Sequence, residues 1–285
     1  MATTITQGGK AKKKQFEMPS VLERLEAKFT IPFSMIDDIA AFISPYCSLD
    51  KYSEKSPDRF YRINSLYFDT PQFHFLEQRM RKAERRFNMR IRSYGDHPVL
   101  PYFFEIKHRR GDVIKKYRAK TDDADLQGQL EAPTRRRYED EDEKNFEKRD
   151  LFARTAHRYN ARPVVLAQYK RKAYYSEYDD YARVTFDIGL RYLPQNEYCV
   201  LPREGDMTPC DVQTCFDAGC CTILELKCYT AYVPLWMVDL VKVFNLKRRS
   251  FSKYANCVIP AYTRFDSKGM FIRGPFVADA FLSDD

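Results

Sequence analysis

The chain has 285 residues, 44% of them hydrophobic and 31% charged, with a formal net charge of +8. That is enough apolar material for one large domain or two small ones. No apolar run approaches the roughly 20 residues of a membrane-spanning helix, and the opening MATTITQGGKAKKK lacks the hydrophobic centre of a signal peptide, so a cytoplasmic protein with no membrane insertion is expected.

The charge is concentrated. Residues 79–120 hold fourteen Lys or Arg against Glu84, Asp96, Glu105 and Asp112, a local balance of +10 that leaves −2 for the rest of the chain. A field of that sign and density implies a polyanionic partner: nucleic acid, phosphate chains or an anionic membrane surface. Five of the eight cysteines cluster as Cys210, Cys215, Cys220, Cys221 and Cys228 without paired CxxC spacings, which predicts free thiols rather than a zinc site.

Taken in chain order, residues 1–20 form a basic arm with little to bury, expected to be disordered. From Leu25 to Ile31, apolar residues alternate with Glu26, Lys28 and Thr30, the period of two of a strand with one apolar face. Ser34 is placed to cap a helix through Ile36, Ile39, Ala40 and Ile43 that Pro45 ends. Further strands are predicted at 62–69, 87–94, 102–108, 113–119, 164–175, 181–187 and 222–228, with Arg110-Gly111-Asp112 as a short connection. Helical signals fill 123–158, through Leu126, Leu130, Phe146 and Leu151, and 234–247, behind Pro234. The pattern gives one domain over 21–258 and a tail over 259–285, in which Phe271, Phe276 and Phe281 are expected to dock on an apolar surface.

Seven of these strands share one feature. Arg90 with Arg92, Glu105 with Lys107, Lys116 with Arg118, Tyr169 with Arg171, Arg183 with Asp187, Glu225 with Lys227 and Glu26 with Lys28 each occupy one face, with apolar residues on the other. An antiparallel sheet can show such a face to water. If the sheet instead closes with that face inward, the cations repel unless a polyanion and a metal neutralise them. Phosphate chains suit the lumen because Arg offers bidentate donors and Lys a compact charge. The interleaved carboxylates suit a hard cation such as Mg2+ or Mn2+, which a plain nucleic-acid groove does not need. No Walker motif, zinc-protease helix motif or GxSxG is present, and His74, His97, His108 and His157 stand singly.

The order Glu26-Ala-Lys28, Ser65-Leu-Tyr-Phe-Asp69, Arg79 with Lys82-Ala-Glu84, Arg90-Ile-Arg92-Ser-Tyr-Gly95, Glu105-Ile-Lys107, Lys116-Tyr-Arg118, Arg162-Pro-Val-Val165, Tyr169-Lys-Arg171, Arg183-Val-Thr-Phe-Asp187, Leu224-Glu-Leu-Lys227 and Phe251-Ser-Lys253-Tyr254 resembles the polyphosphate polymerase domain of the vacuolar transporter chaperone (VTC) family. That family is a branch of the CYTH or triphosphate tunnel metalloenzyme superfamily. The resemblance implies an α+β fold: a closed antiparallel β-barrel of about eight strands with helices packed outside. It also implies metal-dependent transfer of the ATP γ-phosphoryl group to a growing inorganic polyphosphate chain, with no nucleic-acid partner.

By motif position, Lys28, Arg90, Arg92, Lys107, Lys116, Arg171, Arg183 and Lys253 hold phosphates, assisted by Tyr169 and Ser252. Glu26, Arg118, Arg79 and Lys82 complete the substrate-binding set, and Glu225 is the metal ligand. Arg118 and Glu105 either contact substrate or form a salt bridge that positions the residues that do. Arg81, Arg85 and Arg86 are expected at an outer rim. Hydrolytic relatives carry ExExK in the first strand, where this chain has Arg24, Glu26 and Lys28; one fewer carboxylate favours transfer over hydrolysis. Without an SPX-like sensor or apolar span, translocation of product is expected to need a membrane partner protein. The other readings are an inorganic tri- or polyphosphatase in the same tunnel and a non-catalytic polyanion-binding module, whose affinity would fall steeply with salt and need no metal.

Overall fold

A computed structural model of the protein describes residues 24–97, 99–111, 113–131, 137–210, 221–229, 232–265 and 271–273. The predicted arm over 1–20, Asp112, Cys215, Cys220, Phe276, Phe281, and the side chains of Arg24 and Phe271 lie outside that description. All eight predicted strands form: β1 (Arg24–Ile31), β3 (Tyr61–Asp69), β4 (Arg85–Tyr94), β5 (Val99–Arg110), β6 (Val113–Thr121), β7 (Arg162–Ser176), β8 (Arg183–Pro194) and β10 (Thr222–Tyr229). They pair antiparallel in the order β1-β10-β8-β7-β3-β4-β5-β6, with β2 (Cys47–Leu49) added to β7 and β9 (Thr208–Pro209) to β8. A two-stranded β11 (Arg264–Phe265) and β12 (Phe271–Arg273) pair apart from this sheet. Gly111, at φ 55, takes the left-handed conformation that the turn after β5 requires.

The expected closure of the barrel is not found. Among the described residues the only strand paired with β1 is β10 and the only one paired with β6 is β5, so no backbone ladder joins the two ends of the sheet there. Both edges present cations, and β6 alone carries Lys115, Lys116, Arg118 and Lys120, a composition that disfavours edge-to-edge pairing. The sheet nevertheless curls far enough for side chains to cross the interior, where Lys107 of β5 donates to Glu26 of β1 at 2.7 Å.

Helices cover both faces, which modifies the expectation that they lie outside. On the convex face, α1 (Met35–Ile43) and α6 (Leu235–Val243) bury Ile36, Ile39, Trp236, Met237 and Leu240 against Leu224 and Leu226. The predicted helical stretch 123–158 divides into α4 (Leu126–Glu131) and α5 (Glu143–Tyr159), which pack Leu126, Leu130, Phe152 and Ala153 on Phe104 and Ile106 of β5. Each such fully buried side chain contributes roughly 1.5–3 kcal/mol. α2 (Lys51–Lys55) and α3 (His74–Met80) are short turns beside the sheet. α7 (Lys253–Tyr262) differs: Tyr254, Ala255, Cys257 and Val258 pack on Ile63, Tyr67, Ala167, Tyr169 and Ile223, which share the faces of the charged residues. It therefore sits in the concavity.

Ser34 does not cap α1; it is itself helical, and its side chain makes no cap hydrogen bond. The backbone carbonyls of Pro32 and Phe33 accept from Met35 and Ile36 instead. Cys47, Cys199, Cys221 and Cys228 are free thiols, as predicted for the cluster members among them. No helix among the described residues is long and apolar enough to cross a membrane.

Candidate active site: a cationic cavity inside the curled sheet

The concave face surrounds a cavity of about 2260 Å³ lined, among the described residues, by seventeen Lys or Arg and five Asp or Glu. Lys28, Arg90, Arg92, Lys107, Lys116, Arg171, Arg183 and Lys253 all line it, as do Glu26, Arg118, Tyr169, Ser252, Arg79, Lys82 and Glu225. The strand period brings them together: β1 and β10 pair Lys28 with Glu225, β7 and β8 pair Arg171 with Asp187, and β4 pairs Arg90 with both Tyr67 and Glu105. Of the three expected rim arginines, Arg86 reaches the cavity lining, whereas Arg81 is exposed and pairs with Glu77 at 2.9 Å.

Two carboxylates sit behind the cations. Glu105, 1% exposed, meets Arg90 at 2.7 Å, Lys116 at 2.5 Å, Arg118 at 3.4 Å and Arg92 at 3.8 Å. Burial alone would raise its carboxyl, but Arg92, Arg90 and Lys116 outweigh burial and hold it well below the usual carboxylate range. Asp187, fully buried, accepts a bidentate pair from Arg171 at 2.6 and 2.7 Å and meets Lys253 at 2.5 Å. Its carboxyl is likewise lowered, Arg171 and Lys253 together overcoming the cost of burial. Glu105 and Asp187 thus fix the rotamers of the groups in front of them. Arg118 is held by Glu105 and also donates to the Tyr94 hydroxyl at 3.1 Å.

Two other carboxylates face the cavity. Glu225 has Lys227 at 2.7 Å, Lys253 at 3.2 Å, Lys28 at 3.4 Å and Arg171 at 3.6 Å, and Glu26 has Lys107 at 2.7 Å and Lys28 at 3.4 Å. Burial opposes ionisation of both, but these cations keep each well below the ordinary range. Lys28 stands 3.4 Å from a carboxylate oxygen of each, so one cation can be shared between them. No group of three or more His, Cys, Asp or Glu side chains fit to hold a metal occurs among the described residues. The donor set therefore fits a hard cation that takes one or two carboxylates and completes its shell with water and substrate phosphates. It does not fit a metal bound in advance. We expect calorimetric titration with Mn2+ to show negligible binding to the protein alone and clear binding once tripolyphosphate is present; tight binding without phosphate would contradict this donor set.

Some donors stay unused. Arg92 Nε and Thr185 Oγ1 are buried, belong to residues that line the cavity and have no hydrogen-bond partner among the described residues, which is the condition of donors awaiting an acceptor. Tyr169 lies between cations: its hydroxyl accepts from Arg92 at 3.3 Å, and Lys253 and Arg171 stand 4.7 and 5.5 Å from its ring. Burial would raise its phenol, but Arg92, Arg171 and Lys253 prevail and lower it. Ser252 accepts from the Ala255 amide at 3.4 Å as the cap of α7, so Lys253 begins a helix whose first turn faces the cavity.

Burial pushes Lys107 down to about 8, Glu26 only partly offsetting it, and Lys116 down to about 7, against Glu105. A bound polyanion restores the charged forms. Its arrival thus raises the Lys116 value above about 7, protons are taken up, and affinity falls as pH rises through that value. Metal-free tripolyphosphate binding, measured by calorimetry in buffers of different ionisation enthalpy, is expected to take up about one proton between roughly pH 7 and 8. Lys116→Arg keeps the charge at every pH and should flatten that part of the profile; an unchanged profile would remove Lys116 from the explanation.

Several site residues were not anticipated. Tyr67 accepts from Arg90 at 3.0 Å, and its place in Ser65-Leu-Tyr-Phe-Asp69, in phase with Ser65, was the available signal. Lys227, expected on the charged face beside Glu225, also lines the cavity, whereas Arg248 and Arg249, in a basic run shortly before Ser252, were not anticipated. α7 itself was not anticipated although Tyr254, Cys257, Val258 and Ala261 recur at helical spacing, because Pro260 reads as a breaker inside so short a run.

Among solved structures, similarity extends to proteins assigned as adenylate cyclases from Vibrio parahaemolyticus (10% identity, 82% of this chain and 97% of that one, TM-score 0.43) and Bacillus halodurans (10%, 81% and 94%, 0.45), and to a protein of Pyrococcus horikoshii (12%, 81% and 94%, 0.38). Likeness at that level carries no argument. No curated protein matches the chain. The model of the VTC domain matches residues 23–262, a span that holds every cavity-lining residue except Thr263, and the chain belongs to the VTC domain family.

Proposed function

We propose that the protein is a polyphosphate polymerase that transfers the γ-phosphoryl group of ATP to the end of an inorganic polyphosphate chain inside the cationic cavity. The observation that carries this reading is the imbalance of charge within one enclosed volume. Seventeen cationic side chains line it, against five lining carboxylates and the two, Glu105 and Asp187, behind them. An uncompensated excess of that size in a low-dielectric site calls for a ligand with many negative charges at close spacing.

In the proposed mechanism, Arg90, Arg92, Arg171, Lys107, Lys116 and Lys253 bind and align the phosphates, while Glu105 and Asp187 keep these cations in place. Phosphoryl transfer asks mainly for positioning and charge stabilisation. A terminal oxygen of the chain attacks the γ-phosphorus as the bond to the β,γ-bridging oxygen breaks, and the electron pair leaves with ADP. Glu225, with Glu26 beside it, would hold a divalent cation, which would supply positive charge to the transferred group.

The acceptor's oxygen is already anionic at neutral pH, so no general base is needed. That supports transfer over hydrolysis, because an attacking water would have to lose a proton to a base while the chain terminus would not. Purified protein given ATP and Mn2+ should accumulate ADP and long phosphate chains. Cleavage of tripolyphosphate to phosphate with ATP untouched would establish a hydrolase instead.

A further inference from the structure

The two ends of the cavity differ in chemistry. The strand register places Tyr61 and Tyr94 at one end and Arg86 and Arg109 at the other: Ile63 faces Tyr94, and Arg86 faces Arg109. Eight residues of β4 separate Tyr94 from Arg86, about 27 Å at the rise of an extended strand. At the first end, Tyr52 of α2, Tyr61 and Tyr94 form an aromatic rim. The Tyr52 and Tyr94 rings are parallel to within 8° at 6.0 Å, and Tyr61 lies 5.6 Å from Tyr52 and 6.3 Å from Tyr94. Tyr52 is 50% exposed although it lines the cavity. Arg118 joins this rim to the phosphate-facing network, its guanidinium 3.9 Å from the Phe103 ring centre, 3.1 Å from the Tyr94 hydroxyl and 3.4 Å from Glu105.

The opposite end is cationic. Arg79, Lys82, Arg86, Arg109, Arg248 and Arg249 line it. Phe75 and Phe87 reach that end but pack on each other and on Tyr159.

An inorganic phosphate chain gains nothing from a half-exposed tyrosine face, whereas a purine does, because every base has a π-face that stacks on aromatic side chains and guanidinium planes. We propose that Tyr52, Tyr61 and Tyr94 form the nucleobase subsite of the ATP site, and that the growing chain lies toward the arginine-rich end. The proposal rests on the polymerase reading above. In-line transfer puts the leaving ADP and the attacking oxygen on opposite sides of the γ-phosphorus. A base held at the aromatic rim therefore sends the acceptor chain to the other end.

The test is calorimetric binding of ATP and of tripolyphosphate to the wild type, Tyr52→Leu and Tyr52→Phe. Tyr52→Leu should weaken ATP roughly tenfold, the range expected for loss of one stacked base, and leave tripolyphosphate unaffected. Tyr52→Phe keeps the ring and should bind both as the wild type does, which separates stacking from any loss of folding. Equal weakening of both ligands by Tyr52→Leu, or none of either, overturns the subsite. A wild-type protein that binds neither ligand overturns the phosphate-cavity reading together with it. Arg248→Glu with Arg249→Glu should weaken long polyphosphate without weakening ATP; the reverse pattern overturns the assigned polarity.

Discussion

Arg171→Met is expected to destabilise the protein by about 3–5 kcal/mol, the cost of leaving a buried charge without its partner, and to abolish polyphosphate binding. Asp187 is fully buried, and its two oxygens are taken up by Arg171 at 2.6 and 2.7 Å. Lys253 remains at 2.5 Å after the substitution, but it is already shared with Glu225 at 3.2 Å. For a domain of this size the loss corresponds to a fall in Tm of about 10 °C.

The double variant Arg171→Met, Asp187→Asn tests the cause. Removing both charges lifts the desolvation penalty, so most of the stability should return, while phosphate binding should not. If stability fails to return, the pair is not the origin of the loss. Return of binding as well would mean that Arg171 only supports the fold.

Glu225→Gln is expected to lower ATP-dependent chain formation by roughly a hundredfold or more, since even outer-shell changes around a metal cost ten- to a hundredfold. Its effect on binding has the opposite sign. Glu225 is the internal anion that meets Lys227, Lys253, Lys28 and Arg171 within 3.6 Å. Neutralising it removes an anion that all four cations share, although Arg171 and Lys253 keep Asp187 and Lys28 keeps Glu26, so metal-free tripolyphosphate should bind more tightly to the variant than to the wild type. The acid stability of the empty protein should change too. The Glu225 carboxyl is held well below its ordinary value in the fold, so its contribution is complete above the unfolded value near 4.5 and is lost as pH falls through the folded one. The variant lacks that contribution, and its unfolding should depend less steeply on acid. Weaker metal-free binding of tripolyphosphate would show that Glu225 serves the ligand only as a support for the lysines.

Much of this arrangement is legible in the chain. The alternation of Glu26 and Lys28 with Leu25, Ala27 and Phe29, and of Arg90 and Arg92 with Met89 and Ile91, records a sheet with one charged and one apolar face, because side chains of a strand point alternately to its two sides. That pattern located eight of the ten strands of the main sheet and set eleven of the fifteen candidate residues on strand faces that meet in one cavity; Arg79, Lys82, Ser252 and Lys253, which lie outside the strands, came from the family resemblance alone. The assignment of each to a ladder partner was out of reach, since period two says which face a residue takes and nothing about which strand lies beside it.

The sequence by itself determined the strands, the excess of positive charge and the faces that carry it, since these follow from local periodicity and composition. Only the tertiary structure decided that the sheet stays open between β1 and β6, that α7 lies in the concavity, and that Glu105 and Asp187 stand behind the cations while Glu26 and Glu225 face the cavity. The reason is physical: curvature, edge pairing and the depth of a carboxylate depend on contacts between residues far apart in the chain. Lys107 and Glu26, 81 positions apart, meet at 2.7 Å only after the whole sheet has curled.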